Sequence, residues 1–463
     1  MNHFIKSTMF YFVGNVLSKI VIFLLLPLYT KYISPSSFGY FDLMSTYINL
    51  AIPVLSVSIW VAMMRFMFDH KNDCDKIVSV VNGTLIFVSS LAVYSIVFFV
   101  AAIMMEIEYA FYVYLYGLIF ALTHHYSHLA RGYQHNFLFA LSGLIGTIIT
   151  VVCNVLLIIG FDMDYKALYI SWCIGNLLQV IMLESRVRLV ANFNFKHVNS
   201  ALLLQMARYA FPYSINSVFW WILTGYNRVV IANALDVEQN GIYSVATKFS
   251  LALNLIAASV SLAWQEAAFK KGGNGENDGF YYSHAADLYI RFLMLGTVLL
   301  LPFVYLVFPI LIDETYKEAR VLIPLNILGT VVGIYAQFQG SIYGAIKQTR
   351  AIFYSTLISG LINVGLIWIL IFPYGPQAAN ISMLIGFLVN VIIRSVILNT
   401  YMSYRVDYQF LFLLLVPLVI ISMYFFIYAG WAWNLSWMLL VASCLLYQYK
   451  SVIIRLSQRV MPE

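Results

Sequence analysis

A lysine stands in the middle of the first apolar segment of the chain, in the stretch GNVLSKIVIF at residues 14–23. A charged side chain at the centre of a bilayer costs at least about 2.5–3.5 kcal/mol, so Lys19 should face water, protein or an anion. Asn15, one helical turn earlier, and the adjacent Ser18 give it a polar stripe. We expect this stripe either to bind an anionic group in a hydrated cavity or to pair Lys19 with a carboxylate for structural reasons.

A second polar stripe precedes Arg228. Asn216, Trp220, Thr224 and Asn227 recur at helical spacing and share a face with this arginine. The pattern indicates either a second cation in a polar cavity or an arginine that reaches lipid headgroups near a helix end.

Two histidines, His124 and His128, lie four residues apart in the stretch HHYSH. That spacing can bind a metal on a helix, but the glutamate of an HExxH motif is missing. The four cysteines form no CxxC pair, so we predict neither a disulfide framework nor a metal site nor any cofactor.

The composition is that of a polytopic membrane protein. Of the 463 residues, 62% are hydrophobic and 10% are charged, against about 25% charged in soluble domains. The formal charge of +6 is therefore interpreted by its position along the chain, and it does not indicate a nucleic-acid partner.

Breaks at charged residues and at Gly, Pro or Asn clusters define fourteen apolar segments of about the 20 residues that a spanning helix needs. They lie at 8–31, 39–64, 77–105, 109–130, 137–160, 166–184, 209–235, 240–268, 287–312, 320–345, 351–373, 376–400, 409–430 and 434–450.

Positive charge predicts the orientation. With the N-terminus inside, 19 Lys and Arg residues fall on inner segments, Arg394 among them, and four on outer segments. Such a bias marks the cytoplasmic side, so we expect both termini in the cytoplasm. The loops are too short to fold alone, which places any function within the helices.

The chain contains an internal repeat with a shift of 202 residues. SPSSFGYFDLMST aligns with DVEQNGIYSVATK, and Gly39 falls opposite Gly241. Six spans separate the copies, so both run in the same direction, as in parallel-repeat transporters. Lys19 aligns with Trp221, which makes any anion site built on Lys19 asymmetric.

The segments FGYFDL and NRVVIANALDVEQNGIYSVATKFS resemble the Wzx-type polysaccharide and O-antigen flippases of the multidrug/oligosaccharidyl-lipid/polysaccharide exporter superfamily. The resemblance implies an all-α fold of two pseudo-symmetric six-helix bundles, 1–200 and 201–400, around a central cavity, with two further helices in 401–463. It implies movement of an undecaprenyl-diphosphate-linked oligosaccharide by alternating access in the bacterial inner membrane, with no enzymatic reaction. The partners would be the bilayer, the lipid-linked glycan, a polysaccharide polymerase and a chain-length regulator.

For such a cargo, Lys19, Arg228 and Lys248 are candidate cations for the diphosphate. Glu266 follows Lys248 by eighteen residues, which is five helical turns, so both point the same way. We expect Asp42 to pair with Lys248 or Arg228, either to close the outer gate or as a static packing pair. Asp42 and Glu266 are therefore the gating or coupling candidates.

Two arginines at inner helix ends, Arg65 and Arg291, either meet the diphosphate during loading or act only as topology signals. Gln337 and Gln339 either contact sugar hydroxyls or form hydrogen bonds between helices. The remaining candidates for stacking on sugars are Trp220, Trp221 and Trp264.

Two other functions fit a polytopic chain. A cation-coupled multidrug antiporter usually carries cationic compounds, which the three cations within the spans disfavour. A membrane-embedded polymerase, ligase or glycosyltransferase usually needs a substantial outer loop, and here DETYKEAR is the only charge-rich outer segment.

Overall fold

The computed structural model describes residues 23, 25–69, 72–273, 279–346 and 348–448. These residues form helices joined by short connections, and no β-strand occurs among them. The helices are α1 (Leu26–Tyr32), α2 (Pro35–Leu55), α3 (Ile59–Met67), α4 (Asp73–Met105), α5 (Ala110–Gly132), α6 (Asn136–Val155), α7 (Lys166–Val187), α8 (Leu189–Asn192), α9 (Ser200–Thr224), α10 (Tyr226–Ala234), α11 (Val237–Gly273), α12 (Gly279–Leu311), α13 (Ala319–Ala345), α14 (Thr349–Tyr374), α15 (Gln377–Tyr401), α16 (Tyr408–Phe410), α17 (Val416–Tyr428) and α18 (Trp431–Gln448).

The predicted all-α polytopic architecture is confirmed. Each predicted span after the first coincides with one helix or with consecutive helical segments, such as α16, a π-helix at Leu411–Leu415 and α17, and α1 ends the first span. By length and composition, eight helices of the described part can cross a membrane, and nine if α2 and α3 form one bent span. Three other predicted spans are long but more polar: α5 carries the histidines, α9 the Asn216 stripe, and α11 starts with VEQNG.

The second predicted span is broken. The axes of α2 and α3 differ by 52°, and Val57 and Ser58 between them have φ values of 51° and 50°. Pro53 removes a backbone donor just before the break. The left-handed region is unfavourable for a β-branched residue such as Val57, so surrounding packing must hold this bend.

The chain forms two compact units. The first contains the described residues up to Ser244 together with Asn363–Ala379, and the second contains Val245–Ile362 and the described residues from Asn380. The sequence-based boundaries at residues 200 and 400 follow the repeat, whereas these units follow packing. In the first unit α9 packs on α2 and α3, and α10 packs on α2.

Small residues allow close helix contacts within the first unit. α6 and α7 cross at Gly146 and Gly175, where a methyl added to Gly146 would lie 2.7 Å from the carbonyl oxygen of Gly175. Van der Waals packing of this kind replaces the hydrophobic effect as the attraction between helices in lipid. In the second unit α12 packs against α13, α17 and α18.

Candidate functional site

An ion pair joins α2 to α10 in the first unit. Nε of Arg228 lies 2.7 Å from a carboxylate oxygen of Asp42, and the two side chains are 19% and 10% exposed. The structure thus places Asp42 beside Arg228, one of the two partners expected from the sequence. Because both charges are largely removed from water, loss of either one would leave the other poorly compensated.

Three further contacts hold the arginine and the end of α9 that precedes it. The guanidinium donates a hydrogen bond of 3.1 Å to the carbonyl of Thr224, the last residue of α9. It also lies 5.9 Å from the ring centroid of Tyr243 on α11, within reach of a cation–π interaction. The indole of Trp221 donates a 2.9 Å hydrogen bond to the carbonyl of Thr46, which attaches the end of α9 to α2.

Two glycines lie at the crossing of α2 and α11, close to this ion pair. A methyl added to Gly39 would overlap the carbonyl oxygen of Val237, and a methyl added to Gly241 would overlap that of Pro35. Both contacts are backbone to backbone, so neither side can move away without shifting a helix. The amide of Asn240 adds a 2.8 Å hydrogen bond to the carbonyl of Gly39.

Asn227 does not lie on an exposed face. It is fully buried, donates a 3.1 Å hydrogen bond to the carbonyl of Ala379 and accepts a 3.0 Å bond from the amide of Asn363. Asn363 also contacts the carbonyl of Ile222 at 3.1 Å. Since α9 and α10 are separate helices joined at Gly225, Asn227 does not lie on the continuation of the helix face that carries the stripe on α9. In the structure Asn227 therefore takes part in helix packing, and its expected role as a polar cavity residue stays a prediction.

The candidates built on the first span, Lys19, Asn15 and Ser18, lie outside the described residues. Asn216 is exposed on α9, and Lys248 is half-buried on α11. Glu266 lies in α11, but its side chain is outside the described part.

Both candidate loading arginines already have carboxylate partners. Arg65 is paired with Asp69 one turn later, and both side chains are about half exposed. Arg291 lies 2.7 Å from Asp287 and 3.2 Å from Asp407, and its guanidinium lies 4.0 Å from the ring centroid of Phe410. These contacts attach α12 to α16, so a diphosphate would have to compete with two carboxylates at Arg291.

The two glutamines have different surroundings. Gln337 is exposed, whereas Gln339 is fully buried and donates a 2.8 Å hydrogen bond to the hydroxyl of Ser395 on α15. Gln339 therefore forms a hydrogen bond between helices in the structure, which is one of the two roles considered for it. Trp264 stacks on Phe338 with ring centroids 4.3 Å apart, so one of its ring faces is covered.

The histidine pair makes contacts within its own unit. A ring nitrogen of His128 lies 2.8 Å from the carbonyl oxygen of His124, and Trp60 stacks on His124 with centroids 5.2 Å apart. The described residues include no group of three or more His, Cys, Asp or Glu side chains that could hold a metal ion.

Arg394 shows what sequence reasoning missed in the second unit. It was counted with the inner loops, yet it is 2% exposed within α15. Its guanidinium bonds the hydroxyls of Ser355 and Thr356 at 3.0 and 3.1 Å, as well as the carbonyl of Ala336. Gly340 on α13 lies beside it, where an added methyl would be 3.3 Å from the guanidinium, a proximity that only the fold creates.

A chain with this many apolar helices, and with charged and polar groups held inside them, is a multi-pass membrane protein. The chain belongs to the polysaccharide biosynthesis protein family, whose pattern its residues 4–264 match. No protein of curated function matches the sequence.

Solved structures share the fold. The lipid II flippase MurJ in an inward closed conformation has 17% sequence identity and a TM-score of 0.72, with 96% of this chain and 100% of that chain covered. An inward-facing multidrug resistance MATE family transporter of the MOP superfamily has 13% identity and a TM-score of 0.69, with coverages of 83% and 94%. A MATE transporter of Vibrio cholerae has 12% identity and a TM-score of 0.53, with coverages of 86% and 98%. The fold class expected from the sequence is therefore confirmed.

Proposed function

We propose that this protein is a flippase that moves an undecaprenyl-diphosphate-linked oligosaccharide from the inner to the outer leaflet of a bacterial inner membrane by alternating access. The observation that carries the proposal is membership of the polysaccharide biosynthesis family over residues 4–264. A fold shared with a lipid II flippase is consistent with it. The oligosaccharide would be the repeat unit of O-antigen or of another surface polysaccharide.

The chemistry of such a cargo fits the charged groups of the chain. A diphosphate is anionic, so moving it through the membrane requires cations that face water or protein. Arg228 and Lys248 are such cations among the described residues, and Lys19 is a third on the basis of the sequence. A cavity lined by cations would disfavour the cationic compounds that a multidrug antiporter usually carries.

The Asp42–Arg228 pair is proposed as part of the outer gate. With the N-terminus inside, the Pro35 end of α2 and the start of α11 lie at the outer surface. The ion pair at 2.7 Å and the crossing at Gly39 and Gly241 then hold the outer ends of α2, α10 and α11 together. Opening toward the outside would require both contacts to separate.

Depletion of the protein from its host tests the proposal. We expect a lipid-linked glycan to accumulate on the inner leaflet, where enzymes added to inverted membrane vesicles can reach it, and re-expression should clear it. A depleted strain that accumulates no lipid-linked glycan would refute the assignment. Lipid II would be the accumulated species if that lipid is the cargo.

The multidrug antiporter is the second candidate, because its solved structures share the fold. Overexpression and depletion should leave resistance to ethidium and norfloxacin unchanged if the flippase proposal is right. A resistance that rises and falls with the amount of protein, without any glycan accumulation, would favour the antiporter. The polymerase and the chain-length regulator are proposed partners because both would act on the same repeat unit.

A further inference from the structure

One face of α9 carries a continuous row of polar and aromatic side chains. The row, here called the α9 polar face, consists of Tyr209, Tyr213, Asn216, Ser217, Trp220 and Thr224. Their spacings of three or four residues place them on one side of the helix. Tyr213 is 44% exposed, Asn216 and Thr224 are exposed, and the other three are half-buried.

The side chains of this face are ordered relative to one another. The hydroxyls of Tyr209 and Tyr213 lie 3.4 Å apart, and their rings are 5.7 Å apart with an angle of 39° between their planes. The hydroxyls of Ser217 and Thr224 donate to carbonyls one turn earlier on α9. These contacts leave the Tyr213 ring and the Asn216 amide at the surface, whereas the Tyr209 ring is half-buried.

Lipid does not explain this exposure. The hydroxyls of Ser217 and Thr224 are satisfied by their own helix, but in hydrocarbon the exposed Asn216 amide has nothing to hydrogen-bond, so it is expected to face water or protein. A different face of the same helix has the composition suited to lipid, with Phe211 57% exposed. The α9 helix thus has an apolar exposed face and a separate polar exposed face.

The α9 polar face extends between two ion pairs. At one end Tyr209 packs edge-on against Phe66, which follows Arg65. At the other end the Thr224 carbonyl accepts a hydrogen bond from Arg228. Thr224 follows Tyr209 by fifteen residues, which corresponds to about 22 Å of helix and to most of the hydrocarbon thickness of a bilayer.

We propose that the α9 polar face binds the carbohydrate part of the cargo during its passage through the membrane. Sugar rings present C–H groups on one face and hydroxyls at the rim. The exposed ring of Tyr213 and the half-buried rings of Tyr209 and Trp220 offer apolar ring surface for those C–H groups, and the Asn216 amide and the hydroxyls offer hydrogen bonds to the rim. This assignment rests on the proposed flippase function and adds the surface on which the glycan, as distinct from the diphosphate, is held.

Solvent access gives the first test. In a variant whose four native cysteines are replaced by serine, Asn216→Cys and Ser217→Cys in lipid nanodiscs should react with a membrane-impermeant maleimide. The matched control Phe211→Cys, which lies within the predicted span, should react much more slowly. Equal rates on the two faces would overturn the proposal, because a glycan cannot be bound on a surface without water.

Ligand binding gives the second test, with two probes: the lipid-linked glycan extracted from depleted cells, and bare undecaprenyl diphosphate. Tyr213→Ala and Trp220→Ala should each weaken binding of the glycosylated lipid by about tenfold, because each removes ring surface that the sugar would cover. Both variants should bind the bare lipid like the wild type. Tyr213→Phe should keep most of the affinity for the glycosylated lipid. Phe211→Ala should change neither the affinity for the glycosylated lipid nor that for the bare lipid.

The outcomes separate this inference from the proposed function. If depleted cells accumulate no lipid-linked glycan, the flippase assignment fails and the inference fails with it. If glycan accumulates but the two alanine variants bind both probes equally well, or lose affinity for both alike, only the assignment of the α9 polar face is wrong.

Discussion

Gly39 and Gly241 meet at the crossing of α2 and α11, and they occupy equivalent positions in the two copies of the sequence repeat. The contacts are reciprocal, since Gly39 faces the carbonyl of Val237 and Gly241 faces that of Pro35, which are also 202 residues apart. Equivalent residues can touch only near the axis that relates two copies, as in the isologous contacts of symmetric dimers. The crossing therefore supports the register of the repeat.

Substitution of Gly39 by alanine should force the two helices apart at this crossing. A methyl there would overlap the Val237 carbonyl and lie 2.6 Å from the amide nitrogen of Gly241. Spin labels attached at Ser36→Cys and Glu238→Cys in a cysteine-free background should report a longer distance in Gly39→Ala. Gly365→Ala is the control, since nothing lies within 4 Å of its added methyl. An unchanged distance in Gly39→Ala would show that the backbone contact does not hold the crossing.

The ion pair between Asp42 and Arg228 should be strongly coupled. Because both side chains are mostly buried, Asp42→Asn and Arg228→Gln should each lower the free energy of unfolding by about 3–5 kcal/mol. The double variant should lose much less than the sum of the two single losses. Unfolding in mixed micelles with increasing denaturant measures these changes.

The exposed pair Arg65–Asp69 provides the comparison for that measurement. Its residues are about half exposed, and pairs at the surface contribute about 0–1 kcal/mol. Arg65→Gln should therefore have little effect on stability. A coupling energy for Asp42 and Arg228 as small as that of Arg65 and Asp69 would contradict the idea that this pair holds α2 to α10.

The ion pair breaks the symmetry of the repeat. The positions equivalent to Asp42 and Arg228 are Ser244 and Leu26, so the other copy cannot form the same contact. The sequence predicted asymmetry from Lys19, which lies outside the described residues. The structure provides a second and independent case at the crossing of α2 and α10.

Substitution of Asn227 should lower the stability of the protein and should not selectively reduce transport. Asn227→Ala removes hydrogen bonds to Asn363 and to the Ala379 carbonyl and leaves buried groups without partners, which should cost about 1–3 kcal/mol. We expect a lower melting temperature in detergent for Asn227→Ala and an unchanged one for Asn216→Ala, whose side chain is exposed. If Asn227→Ala melts like the wild type yet loses transport, Asn227 has a functional role that its burial does not indicate.

Helix positions were predictable from the sequence because apolar length and breaker residues are local signals. The repeat register and the choice of Asp42 as a partner for Arg228 also came from local patterns. The broken second span and the turn at Gly225 were not predicted, and the turn at Gly225 decides whether Asn227 belongs to the stripe on α9. Tyr209, Tyr213 and Ser217 were missed although their spacing continues that stripe.

The burial of Arg394 could not be found from charge counting. A cation near an inner helix end has the same sequence signature whether it reaches headgroups or enters the protein. Only the hydroxyls of Ser355 and Thr356 on a neighbouring helix distinguish the two cases, and that pairing depends on tertiary packing. The same reasoning applies to Arg291, whose partner Asp407 lies 116 residues away.

Reconstitution tests the central claim most directly. Purified protein would be placed in sealed vesicles with the lipid-linked glycan extracted from depleted cells, and a glycosidase added outside would measure the accessible fraction over time. We predict that the wild type makes the glycan of both leaflets accessible, whereas vesicles without protein expose only the outer leaflet. Arg228→Gln should slow the exchange and Arg65→Gln should slow it less. Wild-type vesicles in which the inner-leaflet glycan stays protected would contradict the account.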